Sequence, residues 1–168
     1  MPLNAQPLSR FVLPGSERKP LVGATVKGPI NPKEHMQVTF VLRHNAVADS
    51  QVRLERTGKG GLPPVRLTRE EFLNQFGARA VDIAAVSEFA AAHHLSVVEE
   101  SRARRTVKLS GAAKDFDEAF DVKLQRYKHP DGAYRGHEGQ IMLPDALKDV
   151  VQAVLGLDNR PQARANYR

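Results

Sequence analysis

The stretch Arg105–Phe120, RTVKLSGAAKDFDEAF, changes period in its middle. Up to Leu109 the residues alternate: Val107 and Leu109 fall on one face, Thr106 and Lys108 on the other, as in a half-buried strand. From Ala113 onward the spacing is helical, with Ala113, Phe116 and Phe120 on a common face and Ser110 as the expected cap. A strand that leads directly into an amphipathic helix is a component of a split βαβ unit.

Upstream, LSVVEE (Leu95–Glu100) reads as a second strand, joined to the first by a turn carrying Arg102, Arg104 and Arg105. A helix is expected over about Val81–His94, with Ile83, Val86 and Ala90 on one face. LTREEFLNQFG (Leu67–Gly77) is a short helix in which Thr68 and Glu71 form a capping box and Gly77 marks the stop. QVTFVLR (Gln37–Arg43) is β-rich and reads as a core strand. Downstream, VKLQRYK (Val122–Lys128) is expected as a strand with Val122 and Leu124 inward. HPDG is a turn and QIMLP a short strand. A last helix is expected over about Asp145–Leu155, stopped by Gly156.

From Gln37 the order is strand, helices, strand, strand, helix, strand. It predicts an α+β, ferredoxin-like fold: a split βαβ antiparallel sheet with helices on one face and the other face free to meet a partner. Residues 1–36 contain six prolines and little periodicity, and are expected to form an extended N-terminal arm, with pairing at a sheet edge left open. The domain is expected over 37–158, with 159–168 as a C-terminal linker.

Composition narrows the function classes. A chain of 168 residues suits one domain with a real core, and 41% hydrophobic content is too high for a disordered chain. There is no cysteine, which excludes disulfides and thiol chemistry. No apolar run approaches the roughly 18 residues of a membrane span, and no secretion signal is visible. The net charge of +6 resides in the ends: +3 in residues 1–36, +3 in 159–168, and zero between. A nucleic-acid-binding domain usually carries its charge on a folded face. The absence of aromatics beside Val107 and Leu109 also argues against RNA stacking.

Motifs for catalysis are missing. Gly58-Lys59 is followed by Gly60 rather than Ser or Thr, so RTGKGGLPP (Arg56–Pro64) reads as a loop and not a phosphate cradle. His93 and His94 are adjacent and point to different helix faces, which suits a helix end better than a metal site. Asp115, Asp117, Glu118 and Asp121 read as a solvated acidic face. No metal or cofactor site is expected.

HPDGAYRGHEGQIMLP and VLGLDNRPQAR carry a resemblance. With the VTFVLR strand, the LTREEF helix, FAAAHHLSVV and FDEAFDVKL, they make the chain similar to the activation prosegment of the sedolisin family of serine-carboxyl peptidases, kumamolisin-type members above all. The most telling motifs are Asp131-Gly132-x-Tyr134-Arg135 and Val154-Leu155-Gly156-Leu157-Asp158-x-Arg160-Pro161. The resemblance implies a ferredoxin-like fold and a non-catalytic role. Such a prosegment assists folding of its peptidase and inhibits it until acid triggers self-cleavage. The family's Ser-Glu-Asp triad, oxyanion-hole aspartate and calcium site would lie in a catalytic domain beyond Arg168. The expected partner is that domain, and the expected setting is extracellular, as part of the proenzyme. A free-standing inhibitor acting in trans, and a nucleic-acid module using the basic arms, are the alternatives.

The tail then has a physical task. Pro161 keeps the chain from coiling, and an extended segment can lie in a protease cleft through main-chain hydrogen bonds. The candidate partner contacts are Arg102, Arg104 and Arg105 in the turn, Tyr134 and Arg135 in the first motif, and Arg160, Pro161, Arg164 and Arg168 in the tail.

Overall fold

The computed structural model describes residues 9–44 and 68–160. In chain order these form β1 (Arg10–Val12), β2 (Thr25–Pro29), β3 (His35–Leu42), α1 (Arg69–Phe76), α2 (Ala80–Ala92), β4 (Ser96–Ser101) and β5 (Thr106–Ala112). α3 (Ala113–Phe120), β6 (Gln125–His129), β7 (Gly132–Gly136), β8 (Met142–Pro144), a 3-10 turn at Asp145–Leu147 and β9 (Val151–Leu155) follow. The expected loop at 56–64 lies outside the described residues.

The central sheet has four strands in the order β4-β5-β3-β9, every neighbouring pair antiparallel. With α2 between β3 and β4, and α3 between β5 and β9, this is the ferredoxin-like βαββαβ arrangement. Strict alternation orients β3: Met36, Val38, Phe40 and Leu42 are buried, while Gln37, Thr39 and Val41 face the other way. Phe40 is joined by Phe89 of α2 and Phe120 of α3, each with ring centroids 5.7 Å away. Ile83, Val86 and Ala90 line the buried face of α2 as their spacing requires.

Three local expectations are corrected. The chain after Asp145 is helical only as the 3-10 turn at Asp145–Leu147; Val151–Leu155 is a strand paired with β3. Val150, Val151 and Val154 are β-branched residues that fit a half-buried sheet edge better than a helix. This strand, and not VKLQRYK, is the fourth of the central sheet. β6 belongs instead to a three-stranded sheet in the order β2-β6-β7, and Val122 and Leu124 are buried just before it begins. Ser110 lies within β5; the helix starts at Ala113, with Ala112 as an N-cap that makes no side-chain bond.

The segment before β3 is extended and woven into the body. β1 pairs with β8 and β2 with β6, and Leu13 and Ile30 join the hydrophobic core. β3 itself begins at His35.

The capping box on α1 forms as expected: the Glu71 amide donates to Thr68 Oγ1 at 3.2 Å, and the Thr68 amide donates to Glu71 Oε2 at 2.7 Å. Gly77 follows in extended conformation, and a Cβ there would come within 2.4 Å of the Leu73 carbonyl oxygen. α1 buries no side chain, so its cap acts locally. Thr68→Ala is expected to cost about 1 kcal/mol at this helix. Amide exchange at residues 70–73 should then accelerate roughly fivefold, with the central sheet unchanged. Unchanged exchange there would show that the cap does not hold the helix.

Candidate functional site: the open sheet face and the C-terminal exit

The face of the central sheet opposite the helices is mixed in character. Register places Leu155, Thr39 and Lys108 side by side across β9, β3 and β5, with Glu99 of β4 next to Lys108. Leu155 is 52% exposed, a large apolar side chain at the end of the edge strand. Lys108 Nζ meets Glu99 Oε2 at 2.9 Å, and Arg104 pairs with the other oxygen of that carboxylate. The Lys108 ammonium, and then the Arg104 guanidinium, hold the Glu99 carboxyl below its usual range.

The β4–β5 turn does not gather its arginines into one cluster. Arg102 Nε donates to the Ala78 carbonyl at 3.1 Å, tying the turn to the start of α2. Arg104 points to Glu99, and its amide donates to Ser101 Oγ at 3.2 Å. Arg105 has a left-handed backbone, φ 54°, and its carbonyl accepts from the Leu42 amide at 2.8 Å.

The second group forms at Gly156–Arg160, the C-terminal end of the described residues, here called the exit. β9 runs directly into Gly156, whose φ of +104° suits glycine and whose Cβ position lies 2.9 Å from the Gln37 carbonyl oxygen. Arg135 of β7 then holds the exit. Its Nε donates to the Leu157 carbonyl at 3.2 Å and its Nη2 to the Gly156 carbonyl at 2.9 Å. Its amide donates to Asn159 Oδ1 at 2.6 Å, and its Nη1 reaches Glu34 Oε1 at 3.3 Å. Arg160 is held as firmly. Asp158 Oδ1 accepts its amide at 2.8 Å and Oδ2 accepts its Nε at 2.7 Å, while its Nη1 donates to the Lys19 carbonyl at 2.8 Å. The Asp158 carboxylate raises the Arg160 pKa above the ordinary arginine value.

Beneath this latch two tyrosines stack, Tyr127 on Tyr134, with centroids 5.0 Å apart and planes 11° apart. The Arg160 guanidinium lies 5.1 Å from the Tyr134 ring centre, in cation–π range. The Tyr134 hydroxyl accepts the Leu21 amide at 3.0 Å. Burial, then a hydrogen bond to Glu138, pushes the Tyr127 phenol up to about 12.

Tyr134, Arg135 and Arg160 therefore converge, and their contacts lie within the chain. Pro161, Arg164 and Arg168 lie outside the described residues. Sequence reasoning did not single out Asp158, Glu34 or the Lys19 carbonyl as members of the site. Asp158 was the most accessible of these, because an aspartate two residues before an arginine can accept that residue's amide in a local turn.

The chain matches the family model described as "Pro-kumamolisin, activation domain" over residues 22–160. It belongs to that family. The match begins before β2 and ends on Arg160, so it includes β2 and the Gly156–Arg160 segment but not β1. The activation domain is also 36% identical over 162 residues to kumamolisin from Bacillus sp. (strain MN-32). That similarity takes in 95% of this chain and 29% of the length of the relative. The activation domain is accordingly a prodomain of the sedolisin type. Among its described residues no three or more His, Asp or Glu side chains gather as a metal site, and no helix is long and apolar enough to cross a membrane.

Proposed function

We propose that this chain is the prosegment of a kumamolisin-type serine-carboxyl peptidase, which assists folding of the catalytic domain and inhibits it until acid permits cleavage. One observation carries the reading: in a member of this family, β9 presents Leu155 on the open sheet face and then passes into a latched exit at Gly156–Arg160. A docking face and the segment that leads toward the cleft thus share a strand. The partner is the catalytic domain, which meets the open sheet face and the β4–β5 turn. The basic tail beyond the latched Arg160, with Arg164 and Arg168, suits a cleft rich in carboxylates.

Under this reading the chain has no catalytic residue and calls for no cofactor of its own. It acts outside the cell as part of a proenzyme. Acid release follows from linkage. A peptidase carboxylate paired with a prosegment arginine has a lowered pKa in the complex. Its contribution is complete above the free value of roughly 4 and is lost as pH falls through the lower bound value.

The test is inhibition of a kumamolisin-type peptidase by this chain added in trans, at about pH 6 and about pH 4, on either side of the onset of carboxylate titration. Tight inhibition at the higher pH, with loss of inhibition and cleavage of the chain at the lower, is expected. Equal inhibition at both would remove the electrostatic release. No inhibition at either, with salt-sensitive binding to DNA or RNA instead, would replace the reading with nucleic-acid binding.

A further inference from the structure

His137 follows β7 and is 2% exposed. It lies between the loop Leu13–Arg18 and the chain's exit at Leu155–Asp158. Among the described residues neither ring nitrogen has a hydrogen-bond partner. The Ser16 hydroxyl, which lines the same cleft, is engaged elsewhere: Ser16 Oγ donates to the Leu13 carbonyl at 2.7 Å and accepts the Ile141 amide at 2.9 Å. Three charged side chains face the ring: Asp158 and Arg160 from the exit, and Arg18 from the loop. Two are cations, and the single anion is already bonded to Arg160. An imidazolium here would be a buried charge beside two cations, offset only by the Ser16 backbone and a carboxylate already bonded to Arg160, which is unfavourable.

We propose that His137 is an acid-sensitive lock, whose protonation drives the Leu13–Arg18 loop away from the Leu157–Arg160 exit and so unlatches both ends of the domain. A cleft of about 290 Å³ already opens beside the ring, between Pro14 and Gly15 on one side and Leu155 and Gly156 on the other. That is room for several water molecules to reach the charged ring as the walls part.

Burial is the main influence on this ring and lowers its pKa; Arg18 and Arg160 add to that, while Asp158 and the Ser16 backbone oppose it. Above the ordinary histidine value of about 6.5, folded and unfolded chains both hold the ring neutral and it contributes nothing to pH dependence. Below that value the unfolded chain takes up a proton that the folded chain refuses. Folding then weakens by up to about tenfold per pH unit, until pH passes the lowered folded-state value. This is a property of the chain by itself, and only its link to peptidase release rests on the function proposed above.

The experiment is urea unfolding of the 168-residue chain at about pH 7.5, 6 and 5, for the unsubstituted protein, His137→Phe and His137→Gln, with NMR titration of the histidine rings. Burial also lowers the His93 pKa, so the comparison with His137→Phe is the readout rather than the raw slope. The unsubstituted chain is expected to lose about tenfold more in its folding equilibrium than His137→Phe between the highest and lowest pH. Amides at 13–18 and 156–160 should begin to exchange together as pH falls. Equal slopes for the two proteins, or a His137 ring that titrates at the ordinary value, would overturn the proposal. If neither variant folds, the ring titration and the exchange pattern of the unsubstituted chain decide it.

Discussion

Phe40→Ala is expected to lower the stability of this domain by about 3–5 kcal/mol. Phe40 is fully buried at the middle of β3, the strand that pairs with both β5 and β9. Its ring bridges Phe89 of α2 and Phe120 of α3, so truncation opens a cavity that touches both helices and the sheet at once. A domain of this size is stable by roughly 5–15 kcal/mol, so the variant sits near the edge of folding. The check is a denaturant midpoint read against Thr39→Ala, one residue away on the open face. That neighbour should change stability by less than about 0.5 kcal/mol, because it leaves the core intact. A Phe40→Ala loss below about 1 kcal/mol would mean that the two helices do not share this aromatic junction.

The contrast between these neighbours explains what could be read from the sequence. Alternation of period two in β3 and β5, and of helical period in α2 and α3, follows from burial on one face, and those elements were legible. β9 was not. It is short, lies at the edge of the central sheet and is only partly buried, so its apolar residues do not alternate cleanly. Placing it as a strand requires knowing that β3 has a free side, which is tertiary information. The N-terminal segment was legible as an extended arm but not in its pairing: its partners β6 and β8 lie roughly 100 and 130 residues away, and no local pattern names them. At the exit, the motifs drew attention to Tyr134, Arg135 and Arg160 through family resemblance. That these residues grip the chain itself depends on β7 lying beside residues 156–159, which no local pattern reveals. His137 sat within a quoted motif and still passed unnoticed, because what distinguishes it is the lack of a partner once buried.

Asp158→Ala is expected to have the largest effect at the exit. The side chains of Asp158 and Arg160 are 8% and 14% exposed, so this is close to a buried ion pair. Removing one member of a buried pair leaves the other's charge uncompensated, at a cost of about 3 kcal/mol. The loss is moderated here because Arg160 retains the Lys19 carbonyl and the face of Tyr134. The substitution also deletes the acceptor of the Arg160 amide, so the local turn at Asp158–Arg160 is lost with the charge. Asp158→Asn separates the two: it keeps an oxygen for the amide and removes only the charge, and should fall between Ala and the unsubstituted chain. Urea unfolding measures the stability part. Limited proteolysis measures the exit, where cleavage near residues 157–161 should become faster in Asp158→Ala while the rest of the domain resists. If the function proposed above holds, inhibition in trans at about pH 6, above the carboxylate range, should weaken at least about tenfold, the equivalent of about 1.4 kcal/mol. Stability lost with proteolysis and inhibition unchanged would show that the pair supports the fold without aiming the tail. The opposite result, a tail released from a domain of unaltered stability, would make the latch a directional device alone.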